Sequence, residues 1–234
     1  LAGGAVRRIV VFSSAMAQYV MTAGGAGVRR VIDFVDIDSD KWAQYSRRRR
    51  WPQRWLYGRE ARALSHYERE AARVFDASVF VSPMEAALFR ALAPEAAPRV
   101  HCVRNGVDWA YFSPERSFDD PFPVGCRPLV FTGAMDYWPN VDAVNWFARE
   151  VLPAVRRQVP QAWFYIVGSR PAPAVRQLAD LDGVEVTGTV ADVRPYLAHA
   201  HVVVALLRVA RGIQNKVLEA MAMARPLVAT PMAM

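Results

Sequence analysis

Short apolar runs at 129–132, 163–167, 184–187, 202–206 and 227–229 alternate with stretches of helical character at 141–159, 174–181, 192–199 and 214–223. Strands that alternate with helices must be joined by crossovers, and crossovers place the strands parallel. The expectation is a doubly wound α/β sheet covered by helices. In such a sheet ligands bind at the carboxyl ends of the strands, which singles out the positions directly after each run.

The same alternation occupies the first half. Residues 8–13 read as a strand, 15–21 as a short helix and 30–37 as a second strand ending in acidic residues. A long helix is predicted over 51–74, with Trp55, Leu64 and Tyr67 among its apolar positions and Arg59, Glu60, Arg62 and Glu68 among its polar ones. After a strand at 79–81, Ser82-Pro83-Met84-Glu85 starts a helix. Ser82 can cap it, Pro83 suits the first helical position, and Glu85 completes a capping box. A strand at 99–104 closes this half. Residues 115–128 are polar, carry Pro121, Pro123, Gly125 and Pro128, and lack periodicity, so they read as a linker. Two Rossmann-like domains in tandem follow, 1–118 and 119–234, expected to enclose a cleft and both truncated in what reads as a fragment.

The 234 residues are 53% hydrophobic, enough for packed cores, and the net charge is +7. That charge points to anionic partners without choosing among nucleotides, lipid headgroups and nucleic acid. Only Cys102 and Cys126 are present, with four scattered histidines. Neither set has metal-ligand spacing, so no metal site, no disulfide framework and a reducing compartment are expected. No apolar run approaches the roughly 18 residues that span a bilayer.

The segment most suggestive of function is 201–222. It reads as a buried strand, a loop with Arg208, Arg211 and Gly212, then a helix with Asn215 and Lys216 in its first turn and Glu219 in its second. A helix N-terminus with added cations suits an anion. Glu219 lies on nearly the same face as Lys216 and can accept hydrogen bonds from hydroxyls. Phosphate together with hydroxyls suggests a nucleotide sugar; an ordinary amphipathic helix with a solvated Lys–Glu pair is the alternative.

Several words occur in order along the chain: Asn105-Gly106-Val107-Asp108 with Phe112 and Pro114, Phe131-Thr132-Gly133, Ile166-Val167-Gly168, Val186-Thr187-Gly188, and Gly212 through Glu219-Ala220-Met221-Ala222 to Pro226. Together they resemble the retaining GT-B glycosyltransferases of family 4. The words Asp36-Ile37-Asp38-Ser39-Asp40-Lys41-Trp42, Tyr137-Trp138-Pro139-Asn140-Val141-Asp142 and Arg211-Gly212-Ile213-Gln214-Asn215-Lys216 are more specifically similar to the sugar transferases of exosortase and exopolysaccharide loci.

The resemblance implies transfer of a sugar from a nucleoside diphosphate to a glycan or lipid-linked acceptor, with retention, no metal and no cofactor beyond the donor. It places the donor in the C-terminal domain. Glu219 matches the glutamate on the ribose; the first acid of the family pair falls on Arg211, which cannot accept hydrogen bonds from a sugar. The loop after Gly133 lacks the usual arginine and lysine, so Arg208, Arg211 and Lys216 are expected to stabilise the leaving diphosphate. Asp36 matches the family's acid or histidine beside the transferred sugar, although it and Asp38 also suit helix capping, with Asp38 or Ser39 capping a helix from about Lys41. The catalytic candidates are thus Asp36, Arg211 and Lys216. The donor-binding candidates are Gly133, Asn140, Gly168, Arg208, Gly212, Asn215 and Glu219. Asn105-Gly106 is expected to shape a turn through positive φ.

Arg47 to Arg50, with Trp51 and Trp55, interleaves cations and indoles, as suits an anionic membrane surface or simply a solvated loop. The expected location is the cytoplasm, peripheral to the inner membrane face. Rival readings are a polyanion-binding or RNA-binding module, which would leave the α/β alternation unexplained, a GT-B-like nucleotide-sugar epimerase or hydrolase, and a non-catalytic pseudoenzyme. Nucleic acid is not expected as a partner.

Overall fold

The computed structural model describes residues 6–22, 27–47, 49–209 and 214–233. They form two compact units, 1–104 and 105–234.

The first unit is a four-stranded parallel sheet, in order β1-β2-β3-β4. Its strands are β1 (Arg8–Phe12), β2 (Arg29–Val35), β3 (Ala77–Phe80) and β4 (Val100–Cys102). Its helices are α1 (Gln18–Met21), α2 (Asp38–Arg47), α3 (Gln53–Val74) and α4 (Pro83–Leu92). One core gathers Ile32, Phe34, Phe75, Phe80 and Phe89, with Phe34 stacked on Phe80 at 5.2 Å between centroids. The predicted start of α4 is present: Ser82 Oγ accepts from Glu85 N at 3.1 Å.

α2 begins at Asp38, earlier than Lys41, and the group that satisfies its first turn comes from elsewhere. Ser39 N and Ser39 Oγ both donate to Glu68 on α3, at 3.0 and 2.5 Å. Glu68 reads in the sequence as a polar, solvated position; it is 1% exposed. The reason lies in the helical repeat. Glu68 follows the buried Ala61 by seven residues and precedes the buried Ala72 by four, so it lies on the apolar stripe.

The second unit is a five-stranded parallel sheet in the order β7-β6-β5-β8-β9. It contains β5 (Arg127–Thr132), α5 (Trp138–Trp146), α6 (Leu152–Gln158), β6 (Ala162–Val167), α7 (Pro173–Arg176), β7 (Val184–Gly188), α8 (Arg194–Ala198), β8 (Val202–Ala205), α9 (Asn215–Ala222) and β9 (Leu227–Ala229). The single helix expected over 141–159 is two, joined by a π-helical turn at Phe147–Val151. Leu129, Phe131, Phe164 and Ile166 pack into one core, and Val130, Tyr165, Val167 and Val203 into another on the opposite face. With both faces covered, β5 and β6 have no solvent side to mark with polar residues.

The proline-containing segment 115–128 packs onto this sheet, with Phe118 and Phe122 against the second core. Arg194 lies over the Tyr111 ring at 3.7 Å, and His199 Nε2 is 2.7 Å from Phe118 O. Residues 105–118, expected in the first domain, thus fall within the second compact unit. Neither Asn105 nor Gly106 takes the expected positive φ; Asn105 Nδ2 instead donates to Asn215 Oδ1 at 3.3 Å.

Candidate functional site

In the order β7-β6-β5-β8-β9 the chain reverses direction of travel across the sheet between β5 and β8, which have adjacent carboxyl ends. Helices leaving these two strands lie on opposite faces, and the gap between them is where doubly wound sheets bind ligands. Gly133 follows β5 directly, and Arg208 follows β8 by three residues.

Lys216, in the first turn of α9, is 8% exposed. Its Nζ donates to Asn140 Oδ1 at 2.8 Å and lies 3.8 Å from the centroid of the Phe131 ring. Asn140 is itself oriented, because its Nδ2 donates to Ala134 O at 2.9 Å and leaves the carbonyl for the lysine. Gly133 is the third wall. A Cβ there would stand 2.7 Å from Asn140 Nδ2 and 3.2 Å from Lys216 Nζ, and its φ is +150°. Gly168, after β6, supports Gly133 from behind: a Cβ on Gly168 would stand 1.7 Å from Gly133 O. Gly133 and Asn140 are therefore brought together around the Lys216 amine, with Gly168 behind Gly133; all four are expected positions.

Burial pushes the Lys216 amine down to about 7, with Glu219 opposing the shift. The carboxyl of Glu219 is pushed up by its own burial and held back by Lys216. Arg208 is placed differently from the expectation of a diphosphate-binding cation. It makes a two-pronged pair with Asp142 at 2.5 and 2.9 Å and lies over Trp146 at 5.6 Å, so its charge is already balanced. Asp142 and Trp146 are absent from the sequence-based candidates, and so is Phe131; a strand residue gives no periodic hint that its ring floors a cation site. Asn215 is exposed at the start of α9. Arg211 and Gly212 lie outside the described residues.

Asp36 belongs to the first unit. Asp36 N donates to Phe34 O at 2.8 Å, closing a three-residue turn about Val35, whose φ of +66° is strained for a β-branched residue. Two buried carboxylates hold the segment beyond: Glu85 accepts from Ile37 N at 3.3 Å and Glu68 from Ser39. Lys41 pairs with Asp36 at 2.9 Å and Asp38 at 3.3 Å. Ser14 Oγ donates to Asp38 at 3.1 Å. Burial raises Glu68 to about 7 against the Ser39 hydrogen bonds. Among the described residues no three histidine, cysteine or carboxylate side chains are grouped to hold a metal ion.

Residues 127–234, most of the second unit, match the family model of the glycosyl transferases group 1. Among solved structures the chain is similar to HepE of Anabaena in complex with UDP and glucose, with TM-score 0.62 and 14% identity over 94% of this chain and 58% of that one. It is also similar to WaaG, a glycosyltransferase involved in lipopolysaccharide biosynthesis, with TM-score 0.69 and 15% identity over 97% and 60%. A glycosyltransferase from Rickettsia africae gives TM-score 0.58 and 11% identity over 97% and 80%. The chain thus spans about three fifths of the length of the first two. Identities this low carry the fold, which is the α/β GT-B fold with two Rossmann-like parallel sheets. No match is found among curated protein sequences.

Proposed function

We propose that this chain, whose residues 127–234 carry a glycosyl transferases group 1 domain, is part of an enzyme that moves a sugar from a nucleoside diphosphate to an acceptor. The observation that carries the reading is the buried Lys216 amine, held by Asn140, with Gly133 placing no side chain against it. An ammonium there offers a diphosphate a charge that solvent does not screen. The α9 N-terminus adds its N–H dipoles, and Glu219, three residues on, accepts from the ribose hydroxyls. HepE has been crystallised with UDP and glucose, which supports a nucleotide-sugar donor here. In this reading the second unit holds the donor and the first the acceptor. By the resemblance to family 4, Asp36 is the acid that contacts the transferred sugar; transfer is retaining and metal-independent, and serves exopolysaccharide or other surface-glycan synthesis.

A panel of UDP-, GDP- and CMP-sugars tests the donor reading, since a ligand that binds only the native state raises the melting temperature. A rise with one donor class, and sugar transfer or nucleotide release from it, is expected. No rise with any donor, together with salt-sensitive RNA binding, would establish the polyanion-binding alternative. Conversion of the donor without an acceptor would identify an epimerase or hydrolase.

The acceptor side includes a membrane contact. The turn between α2 and α3 exposes Arg49, Arg50 and Trp51, and the first turn of α3 exposes Trp55 and Leu56, with Trp51 83% and Trp55 60% exposed. Indoles beside cations favour an anionic interface, at about 1 kcal/mol per cation. No helix among the described residues is long and apolar enough to cross a membrane. Co-sedimentation with phosphatidylglycerol vesicles, lost on W51S/W55S, is the expected result; equal sedimentation of the double variant would remove this contact.

A further inference from the structure

The chain has 29 lysines and arginines, and only two of them, Lys41 and Lys216, are lysines. Almost every cation is thus a guanidinium, which stays charged at any pH a protein meets. Among the described residues, the cation buried in the β5–β8 crevice is one that can lose its proton. Its surroundings hold little to keep that proton there. Among the described residues the amine has one hydrogen-bond acceptor, Asn140 Oδ1, and an aromatic face. No carboxylate lies within ion-pair distance of it among the described residues.

Among the described residues, the charged groups on the elements around the amine are paired elsewhere or make no ion pair with it. On α5, Asp142 is paired with Arg208 at 2.5 Å. In the loop after β5, Asp136 is paired with Arg170 at 3.0 Å. On α9 itself, Glu219 opposes the desolvation of Lys216 without forming an ion pair. β5 contributes Phe131 and is followed by Gly133, neither of which titrates. The missing counter-charge is the one a diphosphate would bring in.

We propose that a nucleotide-sugar diphosphate entering this crevice is bound together with one proton, taken up from solvent by the Lys216 amine and returned when the diphosphate departs. The proposal rests on the donor-site reading above. It adds that the site is not a fixed cation: R–NH2 and a proton become R–NH3+ only as the anion arrives. With the free amine at about 7 and the bound amine well above it, uptake is about 0.9 proton per donor at pH 8 and about 0.1 at pH 6. Affinity weakens about tenfold for each pH unit above about 7 and is flat below. A permanently charged residue would show neither effect.

Two measurements test this. Carbon-13 labelling at lysine Cε gives two side-chain signals, and Lys41→Arg leaves that of Lys216 alone, so its titration is read with and without UDP-glucose, whose pyrophosphate has no proton titrating in this range. Calorimetry of UDP-glucose binding at pH 8, in buffers of differing ionisation enthalpy, counts protons. The expected results are a midpoint near 7 in the free protein, one above 9 in the complex, and an uptake near 0.9 that vanishes in Lys216→Met. Tight donor binding with the free amine already titrating above 9, or with no proton uptake, overturns the coupling and leaves the donor site standing. A midpoint near 7 that UDP-glucose, GDP-mannose and inorganic pyrophosphate all leave unmoved overturns both.

Discussion

Adding one methyl group at Gly168 should disrupt the crevice more than the same change at other open-loop glycines. A Cβ there would meet Gly133 O at 1.7 Å and Gly133 C at 2.8 Å, so the end of β5 would have to retreat by about 1 Å or more to restore ordinary contact. That peptide is pinned. Gly133 N donates to Val167 O at 3.1 Å, Met135 N to Ser169 O at 2.8 Å and Ala172 N to Met135 O at 3.1 Å, and Met135 is fully buried. Losing one or two such bonds costs about 1 kcal/mol each, and overpacking adds about 1–3 kcal/mol. A total of about 3 kcal/mol corresponds to a melting temperature lower by roughly 10 °C.

The controls are Gly188 and Gly106, where a Cβ would meet nothing within 4 Å. Gly188 has φ +69°, so Gly188→Ala costs about 1 kcal/mol in left-handed strain; Gly106→Ala is neutral to about 0.5 kcal/mol. Scanning calorimetry of the three variants should therefore rank them 168, 188, 106 in order of damage. A Gly168→Ala protein that melts within about 2 °C of the parent would refute the account of why this position is glycine.

The two units should respond oppositely to pH. Glu68 is about 7 when folded and 4.5 otherwise, so the folded state binds the extra proton, and its contribution falls as pH rises from about 4.5 through 7, by up to about 3 kcal/mol; Glu68→Gln should flatten that loss in a denaturation series. Lys216 is about 7 when folded and 10.5 otherwise. Here the unfolded state binds the extra proton, so stability rises from about pH 7 towards 10.5, by an amount on the order of 4 kcal/mol, and Lys216→Met should abolish the rise. Arg208→Ala should weaken donor binding less than Lys216→Met, because Asp142 already balances the arginine; a larger loss for Arg208→Ala would make that arginine the principal donor cation.

Local chemistry made the alternation of strands and helices readable, and with it the parallel sheets. Apolar runs at 129–132 and 163–167 have no polar face because helices cover both sides, and Ser82-Pro83-Met84-Glu85 states its own helix start through side chains that act within one turn. Gly133, Asn140 and Lys216 were identifiable as candidates because ligands gather at strand ends and helix starts. The pairing of Arg208 with Asp142, the Phe131 floor and the reach of Glu68 to Ser39 join residues 66, 85 and 29 positions apart. No local pattern carries such contacts.

What the sequence by itself determined is which segments become strands and helices and which ends can meet a ligand, since periodicity and capping operate over a few residues. Only the tertiary structure decided that Lys216 is a buried, titratable amine while Arg208 is a neutralised surface pair. Charge state depends on how much water each group keeps and on which partner reaches it, and both are settled when β5, α5, β8 and α9 pack together.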